Sequence, residues 1–213
     1  MGKHESIPTP AVRRLSLYLR QLEAFRDSNL RTVSSKQLGQ ALRITDAQVR
    51  KDLAYFGQFG QPGIGYDVEE LITKVRQILG TDRTWPVLLV GTGNLGRALV
   101  SYKGFQSKGF EVVAIFDDNP ALHGKAFGEN GPKVLPMEML DAVVKDTQIR
   151  LAILSVPAMV AQSVTDKMIA AGVKGILNFA PVALQVPRGV NVSNVDLAVH
   201  LEQLSFGIGS SGV

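Results

Sequence analysis

Two groups of residues in this 213-residue chain have the types and spacing that chemistry needs. The first is Gly91-Thr92-Gly93-Asn94-Leu95-Gly96, a G-x-G-x-x-G pattern, with Asp117 placed 21 residues beyond its last glycine. Such a loop brings bare backbone close to a phosphate: Gly91 permits the tight turn, Gly93 the approach of a pyrophosphate, and Gly96 close packing of helix on strand. An acid at that distance is placed to accept hydrogen bonds from the adenine ribose hydroxyls. No arginine follows it to meet a 2′-phosphate, so NAD+ and NADH are favoured over the phosphorylated dinucleotides. The second group is Gln48, Arg50, Lys51 and Tyr55, with Ser35 and Lys36 a short way upstream. These side chains can reach phosphates, guanine edges and adenine.

The elements that must position the glycine group follow from pattern. Val87-Leu88-Leu89-Val90 is a continuous apolar run, as in a buried parallel strand, and Arg97-Ala98-Leu99-Val100 opens a helix. A second strand over Val112 to Phe116 ends at Asp117-Asp118. A third runs from Leu151 to Val156, with Pro157 starting a helix that stops at Gly172. A fourth, from Gly175 to Phe179, ends in Ala180-Pro181. Strands alternating with helices predict a Rossmann-like parallel sheet over residues 81–200. Its ligand lies beyond the carboxyl ends of the strands, so Val156, Pro157, Ala180 and Pro181 wall the nicotinamide side. These segments are mostly apolar. His4, His123 and His200 do not follow a strand end in a catalytic arrangement, and neither a Tyr-x-x-x-Lys pair nor a metal-ligand cluster occurs. The domain is expected to hold a dinucleotide without reacting it, so no enzyme activity is expected. The main alternative is an NAD-dependent oxidoreductase with a helical accessory domain; a coenzyme A module is another, and a DNA-binding protein with a vestigial ligand fold a third.

The second group sits in a basic region. Residues 1–80 hold 12 Lys and Arg against 8 Asp and Glu, whereas residues 81–213 hold 11 of each. The chain's whole net charge of +4 therefore lies in the first part, where it attracts polyanions. Thr9 is expected to cap a helix with Pro10 at its first position, and Val12, Leu15, Leu19 and Leu22 form its apolar stripe. Ser34 to Gln37 and Thr45 to Gln48 each have the form of a capping box, and Arg43-Ile44 is left as a tight connection, which gives the helix-turn-helix layout. At about 100° per residue, Val49, Leu53 and Phe56 of the second helix face the core, and Ala47, Lys51 and Ala54 face outward. Aromatics and glycines around Gln61-Pro62-Gly63-Ile64 suggest a wing. Asp67 caps a further helix ended by Gly80, and residues 81–86 form a linker. The N-terminal part, residues 1–80, is thus a winged helix-turn-helix domain.

There is no cysteine, so disulfides and thiol redox sensing are excluded. The start has no apolar signal segment and no apolar run approaches the roughly 18 residues of a membrane helix, so a cytoplasmic protein without membrane or metal partners is expected.

Together the two halves resemble the Rex family of redox-sensing repressors. The resemblance rests on Arg31 to Gly57 (RTVSSKQLGQALRITDAQVRKDLAYFG), Gly91 to Leu99 (GTGNLGRAL), Leu151 to Gln162 (LAILSVPAMVAQ), Gly172 to Pro181 (GVKGILNFAP) and Val195 to Val199. It implies a homodimer that exchanges its C-terminal segment, residues 201–213. It also implies binding to palindromic double-stranded operator DNA when NADH is scarce and release when NADH binds, with NAD+ competing for the site. It further implies that Arg14, Tyr102 and Asp196 serve as switch residues, that Tyr102 also contacts the bound dinucleotide, and that Leu197 reaches the partner's nicotinamide pocket. Two departures stand out. The wing carries no charge at Gln61-Pro62-Gly63-Ile64, so its minor-groove contact is expected to be weak. The tail from Gly207 to Val213 is rich in glycine and serine and is expected not to be helical, which leaves a short exchanged helix.

Overall fold

The computed structural model describes residues 7–61, 63–127 and 131–210. The chain divides into two compact units, one up to Arg83 and one from Thr84 on. The first contains α1 (Thr9–Asp27), β1 (Thr32–Val33), α2 (Ser35–Leu42), α3 (Asp46–Ala54), β2 (Tyr66–Asp67) and α4 (Val68–Leu79). Its core gathers Leu15, Tyr18 and Leu22 of α1, Leu38, Val49 and Leu53 of the next two helices, and Leu71, Ile72 and Val75 of α4. Two expectations for α1 are corrected. Its N-cap is Pro8, with Pro10 inside the first turn, and no side chain caps it. Val12 is 40% exposed; Leu15, Leu19 and Leu22 are buried as expected, and Ala11 and Tyr18 complete the stripe. A tyrosine carries a polar tip, so periodicity of aliphatic residues passes over it.

The turn between α2 and α3 is tight for two reasons. Arg43 takes a left-handed conformation, φ 57°, and Gly39 lets the chain close on itself, since a Cβ there would lie 2.6 Å from the Ile44 carbonyl oxygen. After α3 the chain makes a bridge between Gln61 and Gly65. Pro62, the centre of the expected wing turn, lies outside the described residues. β2 then pairs antiparallel with β1, Val33 opposite Tyr66. Asp67 caps α4 by accepting from the Glu70 amide, and Gly80, φ 70°, ends it.

The second unit contains β3 (Trp85–Val90), α5 (Asn94–Val100), β4 (Phe110–Phe116), β5 (Val134–Leu135), α6 (Leu140–Thr147), β6 (Leu151–Leu154), α7 (Ala158–Ala171), β7 (Gly175–Asn178), β8 (Asn191–Asn194) and α8 (Leu197–Ser210). Six strands form one sheet in the order β5-β4-β3-β6-β7-β8, and every neighbouring pair is parallel. The order reverses between β3 and β6, the position at which such sheets open a crevice. Apolar clusters cover both faces of the sheet.

The linker is shorter than expected, because Trp85 and Pro86 already belong to β3. Pro86 is tolerated there because pairing with β6 begins only at Val87, so the proline has a strand neighbour on one side alone. Pro157 is the N-cap of α7, not its first residue. The tail expectation also fails, since α8 continues through Gly207-Ile208-Gly209 to Ser210. Residues 211–213 lie outside the described residues. Among the described residues no helix is long and apolar enough to cross a membrane, and no group of acids or histidines could hold a metal.

Candidate nucleic-acid and dinucleotide sites

α2 and α3 are held at both starts by side chains. Ser34 and Gln37 form a full capping box: the Ser34 hydroxyl accepts from the Gln37 amide at 3.1 Å, and the Gln37 side chain accepts from the Ser34 amide at 2.9 Å. At α3 only half of the expected box forms. Thr45 accepts from the Gln48 amide at 3.1 Å, while the Gln48 side chain turns the other way and donates to Asp52 at 2.7 Å. Ala47, Lys51 and Ala54 are exposed, as their helical positions require, and so is Tyr55, which caps the end of α3. Lys36 is exposed at the start of α2. Arg50 does not extend freely. Its guanidinium donates to the Asp46 carboxylate at 2.8 Å and to the Ser35 hydroxyl at 3.0 Å, tying α3 to α2.

Asp52 was not singled out by sequence pattern, yet it is the most constrained charge in this unit. Its side chain is fully buried. It accepts two hydrogen bonds from Arg14, at 2.5 and 2.8 Å, one from the Tyr18 hydroxyl at 2.7 Å, and the one from Gln48. Burial alone would push its carboxyl up, but the bonds from Arg14, Tyr18 and Gln48 outweigh that and hold it below the usual carboxylate range. The same pairing raises Arg14, and burial together with Asp52 raises the Tyr18 hydroxyl. Arg14, expected to be a switch residue, is therefore joined to α3. A charged residue on the flank of the Val49–Leu53 face was the available signal.

In the second unit the carboxyl ends of β3, β6 and β7 stand side by side, Val90 opposite Leu154 and Leu154 opposite Asn178. The glycine loop, Val156-Pro157 and Ala180-Pro181 are thereby brought together, as the sequence predicts. Gly91 has φ +95°, and a Cβ on it would strike the Ser155 carbonyl and come within 2.9 Å of the Val156 side chain. A Cβ on Gly96 would strike the Gly91 carbonyl and come within 2.9 Å of the Ser155 hydroxyl. A Cβ on Gly93 would meet nothing within 4 Å, which leaves open space where a phosphate can approach. Gly93 is the N-cap of α5, whose first residues are Asn94 and Leu95.

Ser155 closes the loop from the far side by donating to the Gly91 carbonyl at 2.8 Å. The buried Asn178 accepts from the Ala180 amide at 2.9 Å and so fixes the apolar wall after β7. Neither residue was expected to take part.

Asp117 has a second task besides the one its position suggests. One carboxylate oxygen accepts from both the amide, at 2.7 Å, and the hydroxyl, at 2.6 Å, of the buried Thr92; the other accepts from the Asn119 amide at 2.9 Å. Burial acts to raise this carboxyl, but the bonds from Thr92 and Asn119 prevail and lower it. The second oxygen keeps a lone pair for a further donor. Asp117→Ala is therefore expected to weaken NADH binding about tenfold or more, through lost loop support as well as any lost ligand bond. A fluorescence titration measures this, and unchanged affinity would remove Asp117 from the site. His123 lies seven residues beyond the end of β4, where it closes the short 3-10 turn Pro120–Leu122. Its Nε2 is 2.9 Å from the Asp117 carbonyl oxygen, away from the β6 and β7 ends.

Tyr102, just beyond α5, is 58% exposed and packs edge-on against Phe105 at 5.1 Å. A cavity of about 580 Å³ lies beside it, lined in part by Val113 and Phe127. Asp196 caps α8 by accepting from the Ala198 amide at 2.9 Å, and Leu197, the first residue of that helix, is 60% exposed.

A basic helix-turn-helix unit and a parallel sheet with a phosphate-binding loop define a two-domain, dinucleotide-responsive transcription regulator. Residues 6–54 match the family model described as a putative DNA-binding protein N-terminus, and residues 82–182 match the CoA binding domain. The redox-sensing transcriptional repressor Rex of Carboxydothermus hydrogenoformans is 48% identical, the match covering 95% of this chain and 96% of that one. The Rex of Desulfitobacterium hafniense is 47% identical, with 96% of each chain covered. Among solved structures, RSP in complex with beta-NAD+ and operator DNA has a TM-score of 0.91 at 36% identity, with 96% and 94% coverage of this chain and that one. RSP in complex with beta-NADH has a TM-score of 0.86 at 34% identity, with 97% and 96% coverage. The chain belongs to the Rex family of redox-sensing transcriptional repressors.

Proposed function

We propose that this protein is a repressor that binds operator DNA through α3 when NADH is scarce and leaves it when NADH occupies the crevice at the ends of β3, β6 and β7. The observation that supports this most is the site's makeup. A glycine loop open to a phosphate at Gly93 adjoins walls built from Val156, Pro157, Ala180 and Pro181, which offer no proton donor for chemistry on a nicotinamide. Neutral dihydronicotinamide suits such walls better than the cationic ring, because burying an unpaired charge is costly. A ligand can shift DNA affinity only by binding two forms of the protein unequally, and this preference for one ring supplies the inequality. The relatives solved with beta-NAD+ and operator DNA, and with beta-NADH, are consistent with such a division.

In this reading Gly91 to Gly96 and Asp117 hold the dinucleotide, and Lys51, Arg50, Tyr55, Ser35 and Lys36 meet DNA. For Arg50 a phosphate contact competes with its bonds to Asp46 and Ser35. Palindromic operators require two copies of α3, so the active form is a homodimer, in which Leu197 reaches the partner's nicotinamide pocket and Arg14, Tyr102 and Asp196 serve as switch residues. It works in the cytoplasm, where its DNA is, and is a sensor with no enzymatic turnover. The deciding experiment is a mobility-shift titration on a palindromic operator. NADH is expected to lower DNA affinity at least about tenfold at saturation, and NAD+ to lower it far less. Equal affinities with the two nucleotides would refute the sensing role. The match of residues 82–182 to a CoA binding domain supports a second reading, and failure of coenzyme A to compete with NADH would dismiss it.

A further inference from the structure

We infer that Asp52 is a positioning residue for base reading: it fixes the sense in which the Gln48 amide is presented, so that the oxygen Oε1 is left for DNA. The inference rests on the reading of α3 as the recognition helix.

Asp52 and Gln48 lie one turn apart on α3. The Asp52 side chain has no solvent exposure, and every group around its two oxygens is a donor: Nε and Nη2 of Arg14, the hydroxyl of Tyr18, and Nε2 of Gln48. A carboxylate held in its ionised form can accept hydrogen bonds and cannot donate them. It therefore distinguishes the two ends of the Gln48 amide. Only the nitrogen can face Asp52, and a turn of the amide by 180° would set oxygen against oxygen. Among the described residues Oε1 receives no hydrogen bond, and the residue is only half-buried.

A glutamine free to turn offers a donor or an acceptor at the same place and separates bases poorly. One locked with Oε1 outward accepts from an exocyclic amino group in the major groove, adenine N6 or cytosine N4, and meets the keto oxygens of guanine and thymine without a proton to share. The remaining amide N–H is left for adenine N7. Arg14 and Tyr18 belong to α1, so the lock is held from outside the helix-turn-helix. A movement of Arg14 is then felt as a change in base discrimination as well as in affinity.

The test is a competition assay with the full-length protein. It uses operators carrying each of the four base pairs at every half-site position, together with an NADH titration of each variant. The wild type should prefer an amino-bearing base by about tenfold or more at one position. Gln48→Ala should reduce that preference to within about twofold and leave the other positions unchanged. Asp52→Ala should do the same at the same position, the double variant should add nothing, and NADH affinity should not move. A preference that survives Asp52→Ala, or one that falls equally at all positions, overturns the inference.

Asp52→Asn serves if Asp52→Ala fails to fold. It keeps the size of the side chain but can turn either a donor or an acceptor toward Gln48, so the amide is no longer locked and the preference should fall to within about twofold; a retained preference overturns the inference. Lys51→Ala separates this idea from its premise. Unchanged operator affinity in both Lys51→Ala and Gln48→Ala would remove α3 from the DNA and take the inference with it. Weakened affinity with discrimination intact in Asp52→Ala would sink the inference alone.

Discussion

Leu204→Asp is expected to leave the protein monomeric at micromolar concentration and to lower operator affinity about a thousandfold, the usual distance between specific and non-specific binding. The reason lies in α8. Leu197, Leu201, Leu204 and Ile208 recur at helical spacing and form one stripe, yet they are between 60% and 77% exposed. Each such side chain gains roughly 1.5–3 kcal/mol when buried, and a stripe of four is a larger apolar surface than scattered single residues explain. A second copy of the chain is the occupant that a homodimer requires. A carboxylate at the stripe's centre would have to be buried without a partner. Sedimentation equilibrium and a mobility-shift assay measure the two effects. A dimer that persists in Leu204→Asp would show that the stripe is not the interface.

Gly91→Ala should lower NADH affinity by about a hundredfold or more and destabilise the dinucleotide unit by roughly 2–4 kcal/mol. Alanine at φ +95° is strained, and its Cβ has no room beside the Ser155 carbonyl and Val156. The loop would have to move off the β6 end and carry the phosphate-facing amides with it. Gly93→Ala provides the contrast. Its Cβ meets nothing within 4 Å, so the fold should melt as the wild type does while NADH affinity falls, because the methyl enters space left for the pyrophosphate. Thermal melts and NADH titrations of the two variants separate support of the loop from contact with the ligand. Wild-type binding by Gly91→Ala would refute this account of the loop.

Much of the fold was legible because its signals are local. The capping side chains of Ser34, Thr45 and Asp67, the glycine stop at Gly80 and the apolar run before Gly91 each act within a few residues. The parallel order of β3, β6 and β7 followed from their alternation with helices. What escaped depended on contacts between distant segments. β1 exists only because Thr32–Val33 meets Tyr66–Asp67, a segment more than 30 residues further along the chain. Asp52 looks like one more surface acid until Arg14 and Tyr18, more than 30 residues away, are brought to it. Ser155 and Asn178 hold the crevice through backbone groups that no side-chain motif records. The error in α8 was of another kind. Glycine propensity argued against helix at Gly207 and Gly209, but the penalty of about 1 kcal/mol per glycine can be absorbed by a helix already nucleated over Leu197 to Phe206.

The apolar clusters do not mix: one draws only on α1 to α4 and their strands, and the others only on residues from Val87 onward. Mutational tolerance is therefore partitioned. A core change in one unit, such as loss of a methyl group at Ile72 or at Ile153, leaves the other unit's packing untouched, and distant effects of this sort add. Over evolutionary time the operator reader and the redox sensor can each accumulate changes under their own stability limits.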